Sequence, residues 1–426
     1  MNVAVIGGGP MGLAAAYALL KRGHQVDLYE ADKVLGGMSA CFDFDGLQIE
    51  RFYHFICTGD QPYFQLLEEL GIADELRWVE TRMGYYHRGS TQDWGDPWSL
   101  LRFRGLDLVS KIRYGLMALS STRRRDWRKL DRVDAVTWLR RWVGSKAYDV
   151  LWRQLFELKF YHYSDNLSAA WIWARLRRVG TSRKNLFQEQ LGYLNGGSQL
   201  LIDRLADAIT TRGGNIHLNL PVEQVVIEDG RATAVRCESG LIQHDAVIST
   251  IPLPFVPKMI PELPDPVLAA YRSLENIAVV CALVKLRRPL SKYFWMNITD
   301  PSLPIPGVIE YSNLNPLPQT VLYLPFYLPG EHPDYQQDDA WFVERSRACL
   351  QQLNPQLATE DILTIKVGRY RFAQPICPPG FLDTLPPIQP GVEGLWVADT
   401  SYYYPEDRSI SESVKLGETL AESVGL

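Results

Sequence analysis

The chain has 426 residues, with 44 Lys and Arg against 49 Asp and Glu, and 46% apolar against 22% charged side chains. At ~100–200 residues per domain, that length predicts two or three units whose cores need no disulfide or metal staple. The balance of apolar and charged residues excludes disorder for most of the chain, and the net charge is −5.

From the N-terminus, the pattern predicts a strand over 2–6, a glycine loop over 7–12, a helix to about residue 22 and a second strand over 25–29 ending at Glu30. This is a βαβ opening. A helix is expected over 60–70, and 100–184 reads as mostly helical, with caps available at Asp134 and Ser168. Gly196-Gly197-Ser198 then precedes a helix to about residue 212, and short strands are expected near 216, 222–227, 233–237 and 246–251, a return to the first domain. After a proline-rich stretch over 252–266, runs at 277–286, 308–311 and 320–327 suggest a second sheet, interrupted by a helix over 340–352. The end repeats the opening grammar, with a strand over 394–398, a loop holding Asp399 and a helix over 411–424.

The opening run over 2–6 lacks the basic start and long apolar region of a signal peptide, and the longest later apolar run, 277–284, has eight residues against the ~20 that span a bilayer. A cytoplasmic location is expected, with a peripheral membrane surface left open. The six cysteines, Cys41, Cys57, Cys237, Cys281, Cys349 and Cys377, are scattered without a C-x-x-C or a histidine at ligand spacing. Buried or free thiols are expected, and no metal site.

Gly7-Gly8-Gly9-Pro10-Met11-Gly12 fits G-x-G-x-x-G between a strand and a helix. Without side chains the backbone approaches a pyrophosphate closely, and the amides and positive dipole of the helix start meet its charge. Glu30 stands eighteen positions beyond Gly12, where a carboxylate accepts hydrogen bonds from a ribose hydroxyl. The competing reading, glycines that only turn a tight loop, accounts for neither the acid nor the context.

Leu35-Gly36-Gly37-Met38-Ser39 resembles the glycine-doublet segment of the FAD-binding amine oxidase, protoporphyrinogen oxidase and phytoene desaturase superfamily, which also includes UDP-galactopyranose mutase. The resemblance extends over nearly the whole chain. It is carried further by Leu194-Asn195-Gly196-Gly197-Ser198, Pro221-Val222-Glu223, Ala246 to Pro252, and Gly394-Leu395-Trp396-Val397-Ala398-Asp399. It implies an α/β fold: a discontinuous Rossmann-like FAD-binding domain over 1–75, 191–252 and 391–426, a helical basic insert over 76–190, and a mixed or antiparallel substrate sheet over 253–390. FAD is the implied cofactor. Gly7, Gly9, Pro10, Met11, Gly12, Gly36, Gly37, Met38 and Ser39 would surround the pyrophosphate, Glu30 and Ala31 the adenosine ribose, and Val222 the adenine. Asp399 would bind the ribityl or pyrophosphate portion, unless it is a plain turn residue, and the helix start at Ser409-Ile410-Ser411 would face the flavin pyrimidine.

Two departures from the superfamily pattern stand out. Many members carry Arg after the glycine doublet, where this chain has Met38, with Arg51 as a possible substitute. Amine oxidases carry a flavin-side lysine on a substrate-domain strand, where the aligned residue here is Val280 and Lys285 falls too late. No second G-x-G-x-x-G with strand and helix around it follows, so a dedicated NAD(P)H domain is not expected.

Three clusters are candidates for chemistry: 51–55, 159–163 and 402–408. The catalytic candidates are His54, Arg51, Arg408 and Tyr404, with His54 first because 51–55 resembles the histidine-bearing segment of the mutase. Its alternative is a partly buried histidine satisfied by backbone groups. Arg408 holds a substrate anion or pairs with Glu406 or Asp407, and 161–163 reads as aromatic packing or as site.

Between 100 and 184, twenty Lys and Arg face seven Asp and Glu, a local net of +13 that leaves −18 elsewhere. Leu108, Ile112, Leu116 and Leu119 share a helical face beside Arg123-Arg124-Arg125. Docking onto anionic lipid, recognition of a phosphate or diphosphate, and a solvated basic face over a packed helix are all compatible with this pattern. No nucleic-acid recognition motif accompanies the charge, so the partners expected are a small-molecule substrate, lipid-like or diphosphate-bearing, and a membrane surface. The resemblance implies an FAD-dependent oxidoreductase that takes hydride from an apolar or partly apolar substrate. The alternatives are a mutase-like isomerase that uses reduced FAD on a nucleotide sugar, and a flavin binder without turnover.

Overall fold

The computed structural model describes residues 1–425. The strand Asn2–Ile6 lies at the centre of a five-stranded parallel sheet ordered Asn215–His217, Gln25–Tyr29, Asn2–Ile6, Ala246–Ser249, Leu395–Val397. Val3, Ala4 and Val5 are fully buried, as expected of a parallel strand covered on both faces. Stretches far apart in sequence therefore build one sheet, with the helices Pro10–Lys21, Gly197–Thr211 and Ile410–Ser423 packed in a shared core.

The second body is a seven-stranded sheet in the order Ile362–Pro375, Asn276–Leu286, Thr320–Pro329, Gly307–Glu310, Trp295–Ile298, Met83–His87, Ser90–Trp94. All its pairings are antiparallel except that of Trp295–Ile298 with Met83–His87. Four of its strands are absent from the sequence reading: Ile362–Pro375, Trp295–Ile298, and the hairpin Met83–His87 with Ser90–Trp94, which turns at Arg88 and Gly89 with φ of 51° and 72° and forms one edge of the sheet. The segment 76–190 is thus part sheet and part helix.

The strand Asn276–Leu286 separates two cores by its alternation. Ile277, Val279, Cys281 and Leu283 join the central core, whereas Val280, Ala282 and Val284 pack under the helix Asp339–Leu353.

The helical part of the insert begins at Pro97. Its expected caps are present: the Asp134 carboxylate accepts from Thr137 N at 2.7 Å, and Ser168 Oγ from Ala170 N at 3.2 Å. The helix Leu108–Arg123 points its apolar stripe outward. It turns Ser110, Met117 and Ser121 inward, and leaves Leu108, Val109, Ile112, Leu116 and Leu119 46–66% exposed. Trp98, Leu101, Leu186 and Phe187 are exposed as well, and Trp98 stacks on Phe187. Among the described residues no helix is long and apolar enough to cross a membrane.

Candidate active site

The glycine loop sits where the central strand hands over to the first helix. Gly7 has φ +105°, and a Cβ on Gly12 would stand 1.9 Å from Gly7 O, so only glycine lets helix and loop close on each other. The helix start at Gly9 and Pro10 has no side-chain cap, which leaves its first amides for a ligand. Glu30 braces this loop, its carboxylate accepting from Gly8 N at 2.6 Å and from Asp32 N at 2.8 Å. Gly36 N donates to Gly8 O at 2.8 Å, joining the glycine doublet to the first loop.

These residues open into a cavity of about 1700 Å³. Gly7, Gly9, Pro10, Met11, Glu30, Ala31, Gly37, Met38, Ser39, Val222, Asp399, Ser409, Ile410 and Ser411 all line it. Gly12 and Gly36 stand behind this wall. Asp399 is buried, with its carboxylate held by Leu253 N at 2.9 Å and Ser401 N at 2.8 Å, and burial raises its pKa. Ser409 caps the last helix by accepting from Glu412 N, while Ser411 Oγ, at that helix start, is buried without a partner. The side-chain-free cradle, two uncapped or cavity-facing helix starts and this unpartnered hydroxyl fit a dinucleotide cofactor.

Beyond the cradle the cavity continues between Tyr53, Val279, Cys281, Trp295, Tyr327 and Tyr370, then past Trp94, Leu100, Met117 and Ile172 to Leu119 and Leu186 on the exposed apolar face. Of the catalytic candidates, His54 and Arg408 face this space. His54 Nε2 lies 3.3 Å from Ser39 Oγ, Nδ1 has no partner, and burial with Arg408 nearby lowers its pKa to about 4. The imidazole is therefore neutral at physiological pH. Arg408 Nη1 lies 3.9 Å from Met38 Sδ.

Arg51 reaches the cavity wall, but its guanidinium is tied to Asp32 at 2.7 Å. Tyr404 corrects the sequence expectation. It is absent from the cavity wall, because its hydroxyl is taken by Asp131 Oδ1 at 2.5 Å and Ser168 Oγ at 2.6 Å. Val280 corrects it too, since strand alternation turns it away and presents Val279 and Cys281 instead. Lys285 is buried elsewhere, donating to Phe44 O at 2.5 Å.

Tyr53, from the candidate cluster 51–55, is joined on the wall by Tyr327 and Tyr370, which the sequence reading passed over. That reading also passed over an ion-pair cluster in which Arg175 meets Asp407 at 2.7 Å and Arg178 meets Asp60 at 3.0 Å. Burial would raise Asp407, but Arg175, Lys159 and Arg408 outweigh it and hold its pKa at about 2.

A family model described as flavin containing amine oxidoreductase matches residues 12–401. A 15-cis-phytoene desaturase of Synechococcus elongatus is 27% identical over 287 residues, 62% of this chain and 60% of that protein, so the match spans less than two thirds of the relative. A 15-cis-phytoene desaturase of Narcissus pseudonarcissus is 25% identical across 100% of this chain and 79% of its own length. Among solved structures, a protein of Exiguobacterium sp. 255-15 provisionally identified as a protoporphyrinogen oxidase superposes with a TM-score of 0.77 over 99% of this chain and 98% of its own. Its 18% identity carries the fold alone.

Proposed function

The chain belongs to the flavin containing amine oxidoreductase family, and from that premise we propose that it is an FAD-dependent oxidoreductase that removes hydride from an apolar substrate taken up at a membrane surface. One observation carries this reading: a single cavity runs from the glycine cradle to an exposed apolar helix face.

In this reading 1–75, 191–252 and 391–426 form the FAD-binding domain, 253–390 the substrate sheet and 76–190 the insert that closes over it. Gly7, Gly9 and Ser39 hold the pyrophosphate against the start of the first helix, Glu30 takes the adenosine ribose, and Val222 borders the adenine. Ser411 and the last helix start face the flavin ring. Bound FAD would supply a two-electron acceptor for hydride leaving one substrate C–H, while the neighbouring carbon gives up a proton to water and a C=C bond forms. The protein contributes position and a dry site. Tyr53, Tyr327 and Tyr370 wall the reacting region, and Val279 and Cys281 offer neither acid nor base there, since burial pushes the Cys281 thiol far up. His54 stays neutral and holds Ser39 beside the cofactor.

The apolar walls and the desaturase relatives support an isoprenoid-like hydrocarbon chain as substrate. The outward Leu108, Ile112, Leu116 and Leu119, flanked by Lys111 and by Arg123 to Arg125, support docking of the insert on anionic lipid, which would deliver such a substrate to the cavity mouth.

Anaerobic mixing of the FAD-loaded protein with an isoprenoid hydrocarbon, a porphyrinogen, an amine and a nucleotide sugar tests the reading. Bleaching of the flavin by the isoprenoid in liposomes is expected. Bleaching by the amine or porphyrinogen alone would assign the substrate class differently.

A further inference from the structure

Lys159 has no role in the proposed reaction, although its side chain lines the same cavity as Arg408 and His54. Its Nζ lies 4.9 Å over the Tyr327 ring and 5.6 Å from the Phe160 ring centre, and it has no ion-pair partner among the described residues. Arg408 also lacks a carboxylate: its Nε is buried without a partner, and Nη1 meets only the Met38 sulfur. The two neighbouring acids are already engaged, Asp407 by Arg175 and Asp60 by Arg178.

Lys159 and Arg408 therefore stand on the cavity wall, beside the rings of Tyr53 and Tyr327, without a carboxylate of their own. An ammonium removed from water without a counter-charge is unstable, and burial together with Arg175 lowers the Lys159 pKa accordingly. A ligand oxyanion between Lys159 and Arg408 resolves the imbalance with charge-assisted hydrogen bonds. An exposed lysine would need no such partner, but this one has its stem packed among aromatic rings at the end of the helix Gln154–Phe160.

We propose that Lys159 and Arg408 form an oxyanion subsite, so that the isoprenoid-like chain of the substrate carries a terminal phosphate, diphosphate or carboxylate. This rests on the reading of the cavity as the substrate chamber of an FAD enzyme. The anchored head would fix which C–H of the chain meets the reacting region, because a purely apolar chain slides freely in an apolar channel.

The test is calorimetric titration of the full-length FAD-loaded protein with farnesyl diphosphate, palmitate and farnesol, repeated with Lys159→Met, Lys159→Arg and Arg408→Gln. The expected result is that at least one of the two oxyanion ligands binds roughly ten- to a hundredfold tighter than farnesol. Whether diphosphate or carboxylate is favoured identifies the head group. Lys159→Met should abolish most of that preference with farnesol affinity and flavin content unchanged, Lys159→Arg should restore it, and Arg408→Gln should reduce it. Equal affinity for all three ligands, or a preference untouched by Lys159→Met, would overturn the proposal. If the wild-type protein binds no flavin, the FAD reading fails, but the same titration on the flavin-free chain still decides the oxyanion subsite.

Discussion

Arg408 places its guanidinium 3.9 Å from the sulfur of Met38, bringing a cation from the start of the last helix to the glycine doublet of the first domain. Many members of the superfamily carry an arginine at the position of Met38. Here the charge arrives through space from 370 residues away, while Arg51, the nearer candidate in sequence, is engaged with Asp32. The glycine-doublet end of the cavity thus keeps a positive charge beside Met38.

Glu30→Ala removes the acceptor proposed for the adenosine ribose and frees Gly8 N and Asp32 N. FAD affinity should fall by roughly ten- to a hundredfold, the loss of one or two charge-assisted hydrogen bonds. Fluorescence titration of the flavin-free variant with FAD measures this, and its circular dichroism should match the parent because the sheet core is untouched.

His54, with its pKa lowered to about 4 from 6.5, binds fewer protons in the folded than in the unfolded chain between those values. Its contribution to stability is fully present above pH 6.5 and is lost as pH falls toward 4. Melting temperatures of the flavin-free protein should fall over that window more steeply for the parent than for His54→Asn. Flavin reduction by substrate should show no inflection from this group between pH 6.5 and 8.

Tyr404→Phe leaves the Asp131 carboxylate and the Ser168 hydroxyl short of a buried partner. A loss of about 1–3 kcal/mol in unfolding free energy is expected by denaturant titration. The rate of flavin reduction should be unchanged, since the ring lies outside the cavity wall.

Ile112→Asp with Leu116→Asp puts two charges on the outward apolar stripe. Co-sedimentation with vesicles containing anionic lipid should weaken roughly tenfold or more, while stability stays within about 0.5 kcal/mol, because neither side chain is part of the core.

The nucleotide cradle was legible because its glycines and its acid lie within some thirty consecutive residues and obey local rules, and the caps Asp134 and Ser168 were legible for the same reason. Other features depend on distant partners. The direction of Tyr404 is set by Ser168 and Asp131, 236 and 273 residues away in sequence. The phase of the strand Asn276–Leu286 was hidden because nearly every residue in it is apolar and buried, so no alternation marks which side faces the cavity. The strand Ile362–Pro375 mixes charged and half-buried residues and carries no period of two. The helix Leu108–Arg123 shows the right pattern in sequence, but not that its apolar side points outward.

The central claim is a net two-electron oxidation of substrate, hydride passing to the flavin and a proton to water, and a single-turnover experiment tests it most directly. FAD-loaded protein is mixed anaerobically with excess isoprenoid substrate in anionic liposomes, and reduced flavin and dehydrogenated product are both counted. The account predicts one flavin reduced for each product molecule formed, with reduction stopping when the flavin is exhausted. Product formed from pre-reduced enzyme with the flavin returned reduced, and no change in substrate oxidation level, would contradict it and leave a mutase-like isomerase in its place.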